Sequence, residues 1–186
     1  MSAVANILNP VVAAFFALCL FSGVTLADEK RVDDLFDLLA QDNLPNWQVI
    51  EDEIWLEWSK SGSAAMDLLL QRGRDAMDSG DFSRAIEHLT ALTDHAPEFA
   101  EGFNARAMAY YRMGFYGPSL ADIRTVLALN PRHFGALSGL GSILEEIGQE
   151  QHALEAYRAA SAVHPHKPEL KDAVKRLERA VSGDQI

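Results

Sequence analysis

The sequence predicts an all-α fold, an α-α superhelix of three helical hairpins with a further hairpin before them and a single helix after. Three observations point there. Prolines recur 34 residues apart at Pro97, Pro131 and Pro165. Gly80, Gly114 and Gly148 keep the same interval, each 17 residues ahead of a proline and between two apolar stretches of helical length. Short side chains also pair in every unit, Gly73 with Ala85, Ala107 with Ser119 and Gly141 with Ala153, where antiparallel helices need a close crossing. A period of this size marks a solenoid, whose units bury their apolar faces only against one another.

In chain order, Ile7 to Ala27 is almost wholly apolar and ends in Thr25-Leu26-Ala27 before the charged Asp28-Glu29-Lys30-Arg31. This reads as a secretory signal peptide, residues 1–27, cleaved after Ala27 to leave an exported, periplasmic protein. The first ten residues carry no Lys or Arg, so an uncleaved membrane anchor is the second reading, and about 20 apolar residues are enough to span a bilayer. Cys19 follows Leu18, which is too bulky for lipoprotein processing. Cleavage after Ala27 leaves no cysteine, which excludes disulfides, thiolate metal ligands and a cysteine nucleophile.

Residues 28–63 are expected to form a helical cap over the open end of the first unit. Val32, Leu35, Phe36 and Leu39 keep helical spacing, Asp42-Asn43-Leu44-Pro45 makes a turn, and Trp47, Ile50, Ile54 and Trp58 share one face of a second helix. Trp55 lies off that stripe and is expected as an exposed contact, the place where a homodimer would form. Ser61-Gly62-Ser63 ends the helix. Residues 64–167 hold the three hairpins, in units 66–99, 100–133 and 134–167. The glycine of each unit suits a left-handed helix end, and Asn130-Pro131 stops the helix before it because a residue preceding proline is driven out of the helical region. Pro168-Glu169 opens a closing helix over 168–182, striped by Leu170, Val174, Leu177 and Val181, and 183–186 is a tail.

The three units resemble tetratricopeptide repeats. The first has Leu69, Gly73, Gly80, Phe82, Ala85, Leu89, Leu92 and Pro97 at the signature places. The second has Phe103, Ala107, Tyr110, Gly114, Tyr116, Ile123, Val126 and Pro131, with Ser119 where alanine is usual. The third has Leu137, Gly141, Leu144, Gly148, Ala153, Tyr157, Ala160 and Pro165. The stretch from Ile54 to Trp58, with Ser61-Gly62-Ser63 and Asp67-Leu68-Leu69, also resembles the lead-in of short exported repeat proteins from alphaproteobacteria.

The resemblance implies a concave groove, lined by the first helix of each repeat, that receives a segment of a partner. Its positions fall on Leu70, Arg74 and Met77, then Asn104, Met108, Tyr111 and Arg112, then Ser138, Ser142 and Glu145. Arrays of this family that grip the C-terminal carboxylate of heat-shock chaperones use lysine and asparagine at matching places. Here Leu70 stands where the leading lysine would be, and Gly135 and Gly139 stand where the third repeat would supply basic groups. Only Arg74, Asn104 and Arg112 suit a carboxylate, which speaks against that clamp. Met77, Met108 and Tyr111 over a small-residue floor of Gly135, Ser138, Gly139 and Ser142 suit a peptide or helix instead.

A net charge of −11 disfavours nucleic acid and anionic lipid as partners. No catalytic or cofactor motif emerges. Ser138-Gly139-Leu140-Gly141-Ser142 lies inside a helix with no strand to present it, Asp75, Asp78 and Asp81 lack calcium-loop spacing, and His164-Pro165-His166 has no third metal ligand nearby. The reading is a non-enzymatic scaffold or adaptor of the cell envelope that binds another protein. A homodimer through the N-terminal cap and a small-molecule-binding array stand as alternatives.

Overall fold

Each repeat is two helices closed by the same turn. The computed structural model describes residues 30–183, which form α1 (residues 30–39), α2 (Trp47–Trp58), α3 (Ala64–Asp78), α4 (Phe82–His95), α5 (Ala100–Arg112), α6 (Tyr116–Leu129), α7 (Phe134–Glu146), α8 (Glu150–Val163) and α9 (Pro168–Ser182). There is no strand among the described residues. The predicted signal segment, residues 1–27, lies outside them, as do the last three residues of the tail. No helix among them is long and apolar enough to cross a membrane.

Gly80, Gly114 and Gly148 adopt φ of +79°, +74° and +73°, and at each the two backbone N–H groups that follow the helix turn back onto its last-turn carbonyls. In the second repeat Gly114 N–H bonds Tyr111 O and Phe115 N–H bonds Tyr110 O, both at 2.9 Å. This pairing satisfies carbonyls that a helix end otherwise strands, and the left-handed backbone it needs costs only glycine nothing. The second helix of each repeat stops at Ala96, Asn130 or His164, residues held extended because proline follows.

Within each repeat the helices cross at the short side chains. A β-carbon on Gly73 would lie 2.6 Å from Leu89, and one on Gly141 2.8 Å from Tyr157. In the second repeat Ser119, where alanine is usual, donates its hydroxyl to the Ala107 carbonyl at 2.7 Å, so the polar atom is buried but satisfied. Between repeats, buried Leu70, Leu89 and Leu92 meet Ala105 and Ala109, and Ile123 and Val126 meet Ala136 and Ile143. α9 buries Leu170, Ala173 and Leu177 on Ala153, Leu154 and Tyr157 of α8, closing the stack.

The N-terminal hairpin sits elsewhere than expected. α1 and α2 bury Leu35, Phe36, Leu39 and Ile54 with Phe134, and Val163 packs against the same cluster. The hairpin therefore does not cap the first repeat; it folds back over the inner face and seats on the third. Ring chemistry fixes the register. Trp58 stacks on His133 with centroids 4.2 Å apart, Trp55 meets Phe134 edge-on at 5.2 Å, and Trp47 meets His164 edge-on at 5.3 Å. Trp55, expected as an exposed contact, is half-buried against the repeats.

Candidate functional site

The first helices α3, α5 and α7 line the inner face, and α2 lies across it. Under α2 is a polar chain that begins with Ser59, whose hydroxyl is 3.1 Å from the Arg74 guanidinium. Arg74 in turn donates to Glu101 Oε1 at 2.6 Å. Glu101 Oε2 accepts from Asn104 at 3.0 Å and lies 3.1 Å from His133 Nε2. Because His133 Nδ1 accepts the Ala136 N–H, which caps α7, the ring proton sits on Nε2 and is donated to Glu101. Three groups, Arg74, Asn104 and His133, thus hold a carboxylate with only 3% of its side chain exposed.

A second buried carboxylate comes from the hairpin. Glu51 pairs with Lys167, lies 3.4 Å from His164 Nε2, and accepts from Trp55 Nε1 at 3.4 Å. Burial raises its pKa, but the nearby His164 ring and the Lys167 ammonium, through contact and charge, outweigh burial and bring it down from 4.5 to about 2. At the rim Arg132 pairs with Asp33 and lies 4.4 Å over the Phe36 ring, and His166 reaches the Gln41 carbonyl at 3.0 Å.

These contacts account for several of the positions assigned to the groove. Leu70 is 2% exposed in the core of the first repeat, and Met77 packs against the same core. Arg74 and Asn104 are engaged by Glu101. Arg112 is exposed and lies 5.0 Å over the Phe82 ring. Glu145 is bound by Arg176 of α9, one contact at 2.9 Å, and that hydrogen bond lowers its pKa. Of the three residues that suited a carboxylate, Arg74 and Asn104 are thus held by Glu101, while exposed Arg112 has the Phe82 ring beneath it.

The remaining four positions come together. Met108, Tyr111, Ser138 and Ser142 surround an open depression of about 250 Å³ between α5 and α7, with Gly135 and Gly139 at its side and Ile123 and Ile143 below. Met108 is 49% exposed there. Tyr111 has its ring 5.8 Å from Tyr116, and burial raises its pKa. Ser142 bonds the Ser138 carbonyl at 3.2 Å and the Tyr157 hydroxyl at 3.0 Å. A second depression, about 530 Å³, lies between α2 and α3, walled by Trp55, Leu56, Leu70 and Arg74.

Reasoning from sequence missed Glu51, Glu101, His133, Phe134 and Lys167. One signal was present: Gly135 and Gly139 are smaller than a groove wall requires, and the smallness of Gly135 is used by Trp55. No group of three or more metal-ligating side chains gathers among the described residues.

Comparison with known proteins agrees with this architecture. A family model described as tetratricopeptide repeat matches residues 70–114 and 104–168. A repeat-containing protein of Rhizobium etli is 35% identical over 158 residues, covering 84% of this chain and 78% of the relative. The small glutamine-rich tetratricopeptide repeat-containing protein 2 of Mycosarcoma maydis is 28% identical over 64% of this chain, which spans 34% of that relative's length. Among solved structures, the first such domain of Spaghetti (RPAP3), bound to the HSP90 peptide SRMEEVD, has a TM-score of 0.62 and 22% identity, covering 64% of this chain and 95% of that one. With the family model covering more than half of the residues and the three in-register hairpins behind it, the chain belongs to the tetratricopeptide repeat family.

Proposed function

We propose that this protein is a non-enzymatic adaptor of the cell envelope, exported by its N-terminal segment, that holds a peptide or helix of another protein on its inner face. The observation that carries the reading is the open depression between α5 and α7, where exposed Met108 and half-buried Tyr111 face small residues. A mobile thioether and an aromatic ring offer adaptable contact area at modest ordering cost, and glycine and serine admit close backbone approach. The family neighbour solved with an HSP90 peptide supports peptide capture as the mode of action. The ligand chemistry differs from a carboxylate clamp, because Arg74 and Asn104 are already engaged by Glu101, which leaves Arg112 alone of the three to meet a carboxylate.

Gly139→Leu tests this. A β-carbon at Gly139 meets only Ile123, at 3.6 Å, so a larger side chain fills the depression without straining the helix. Crosslinked capture from the envelope fraction of the source cell should lose its specific partner with Gly139→Leu and with Tyr111→Ala, while helix content and melting temperature hold. Capture by both variants at the wild-type level would rule the depression out. N-terminal sequencing of the exported protein should begin after Ala27.

A second reading is self-association through the outer side of α2, where Val49 is 52% and Leu56 56% exposed. Sedimentation of the isolated protein at rising concentration separates the two, since only this reading expects a shift from monomer to dimer.

A further inference from the structure

Helix α2 lies on the repeats as a ligand lies in its site. Trp55 enters a slot walled by His133 and Phe134 and floored by the α7 backbone, where a β-carbon at Gly135 would come 2.6 Å from the indole. Glu51, one helical turn earlier on α2, meets Lys167 and His164. On the repeat side Arg132 and Lys167 pair with Asp33 and Glu51 of the hairpin, and Arg74, itself paired with Glu101, donates to the Ser59 hydroxyl. The match is electrostatic as well as aromatic.

The fastenings are suited to release. The Arg132 and Asp33 side chains are 48% and 60% exposed, and Lys167 is 32% exposed. The hairpin is joined to α3 by Ser61-Gly62-Ser63, with Gly62 at φ +77°. It also covers only part of the inner face, leaving open a depression of about 530 Å³ between α2 and α3 and one of about 250 Å³ between α5 and α7. A short tether holds a resident ligand at an effective concentration of roughly millimolar, so a competitor needs contacts that the resident lacks. The depression between α2 and α3 supplies them.

We propose that the slot at His133, Phe134 and Gly135 is a binding site for an acidic amphipathic helix of another protein, one that carries an aromatic residue four positions after a carboxylate. Helix α2 is the resident occupant that such a helix displaces. The slot adjoins the open depression at Gly135 but does not include Gly139: Gly139→Leu should leave the slot intact, so failure of one reading does not carry the other with it.

A fluorescein-labelled peptide of residues 46–60 serves as the probe, titrated by polarisation against the full chain. A variant with Glu51→Gln and Trp55→Ala loosens the hairpin and should bind the peptide about a hundredfold tighter than the wild type, because its site is no longer occupied. A peptide carrying Trp55→Ala should lose this binding, and added salt should weaken it. A folded double variant that ignores the peptide, or takes both peptides equally, overturns the proposal. Should the double variant fail to fold, excess peptide added to the wild type must speed hydrogen exchange across residues 47–58, and unchanged exchange overturns the proposal. A doubling of the wild-type mass without peptide, abolished by Trp55→Ala, would assign the slot to a second copy and overturn the claim of a foreign helix.

Discussion

Gly135 is the residue on which the hairpin's register turns. A methyl group there would stand 2.6 Å from Cη2 of Trp55, inside van der Waals contact, and the indole is braced on its other sides by Trp58, His133 and Phe134. Gly135→Ala should therefore shift the indole outward even as it favours helix by up to about 1 kcal/mol. All three tryptophans lie in the hairpin and all four tyrosines in the repeats, so selectively excited tryptophan emission reports on the hairpin alone. The variant should show red-shifted emission and greater quenching by acrylamide, with far-ultraviolet circular dichroism unchanged. Glu51 gives the pH dependence. Its pKa is lowered on docking, so the stability it contributes is complete above about 4.5 and is lost as the pH falls toward 2. Tryptophan emission should report hairpin release in that window, and Glu51→Gln should remove this step from the titration.

At the scale of elements, apolar packing between repeats is joined by a buried ion pair within the second repeat that also reaches the first. Arg106 of α5 grips Asp122 of α6 through two contacts of 2.8 Å and reaches back to Thr93 of α4 at 2.7 Å, tying the first repeat to the second. The Arg106 and Asp122 side chains are 14% and 8% exposed, so Asp122→Ala strands a largely buried cation. The expected loss is about 3 kcal/mol by urea denaturation. Such seams, the helix ends at Gly80, Gly114 and Gly148 and the closing α9 follow from local pattern, because each repeat meets only its neighbours and its signature residues recur every 34 positions. The seat of the hairpin does not follow. Its partners Phe134, His164 and Lys167 lie roughly a hundred residues away in sequence, and nothing in the spacing of Trp47, Trp55 and Trp58 says which repeat they face. Of the positions expected in the groove, Met108, Tyr111, Ser138 and Ser142 line the open depression together with Asn104, which also donates to Glu101. Arg74 and Glu145 pair within the chain with Glu101 and Arg176, partners too far along the sequence for local spacing to reveal.

At the scale of the whole molecule, a three-repeat array carries an acidic hairpin folded over its own inner face. That hairpin divides the face into an occupied slot and two open depressions, so one surface offers both a free site and a guarded one. Zero-length carbodiimide coupling followed by peptide mass spectrometry tests this arrangement most directly, since it joins only carboxylates and amines already in contact. Glu51 should couple to Lys167 within a monomer, a link between residues 116 apart. If Glu51 couples only to Lys60 in the monomer and never to Lys167, the hairpin does not lie on the third repeat.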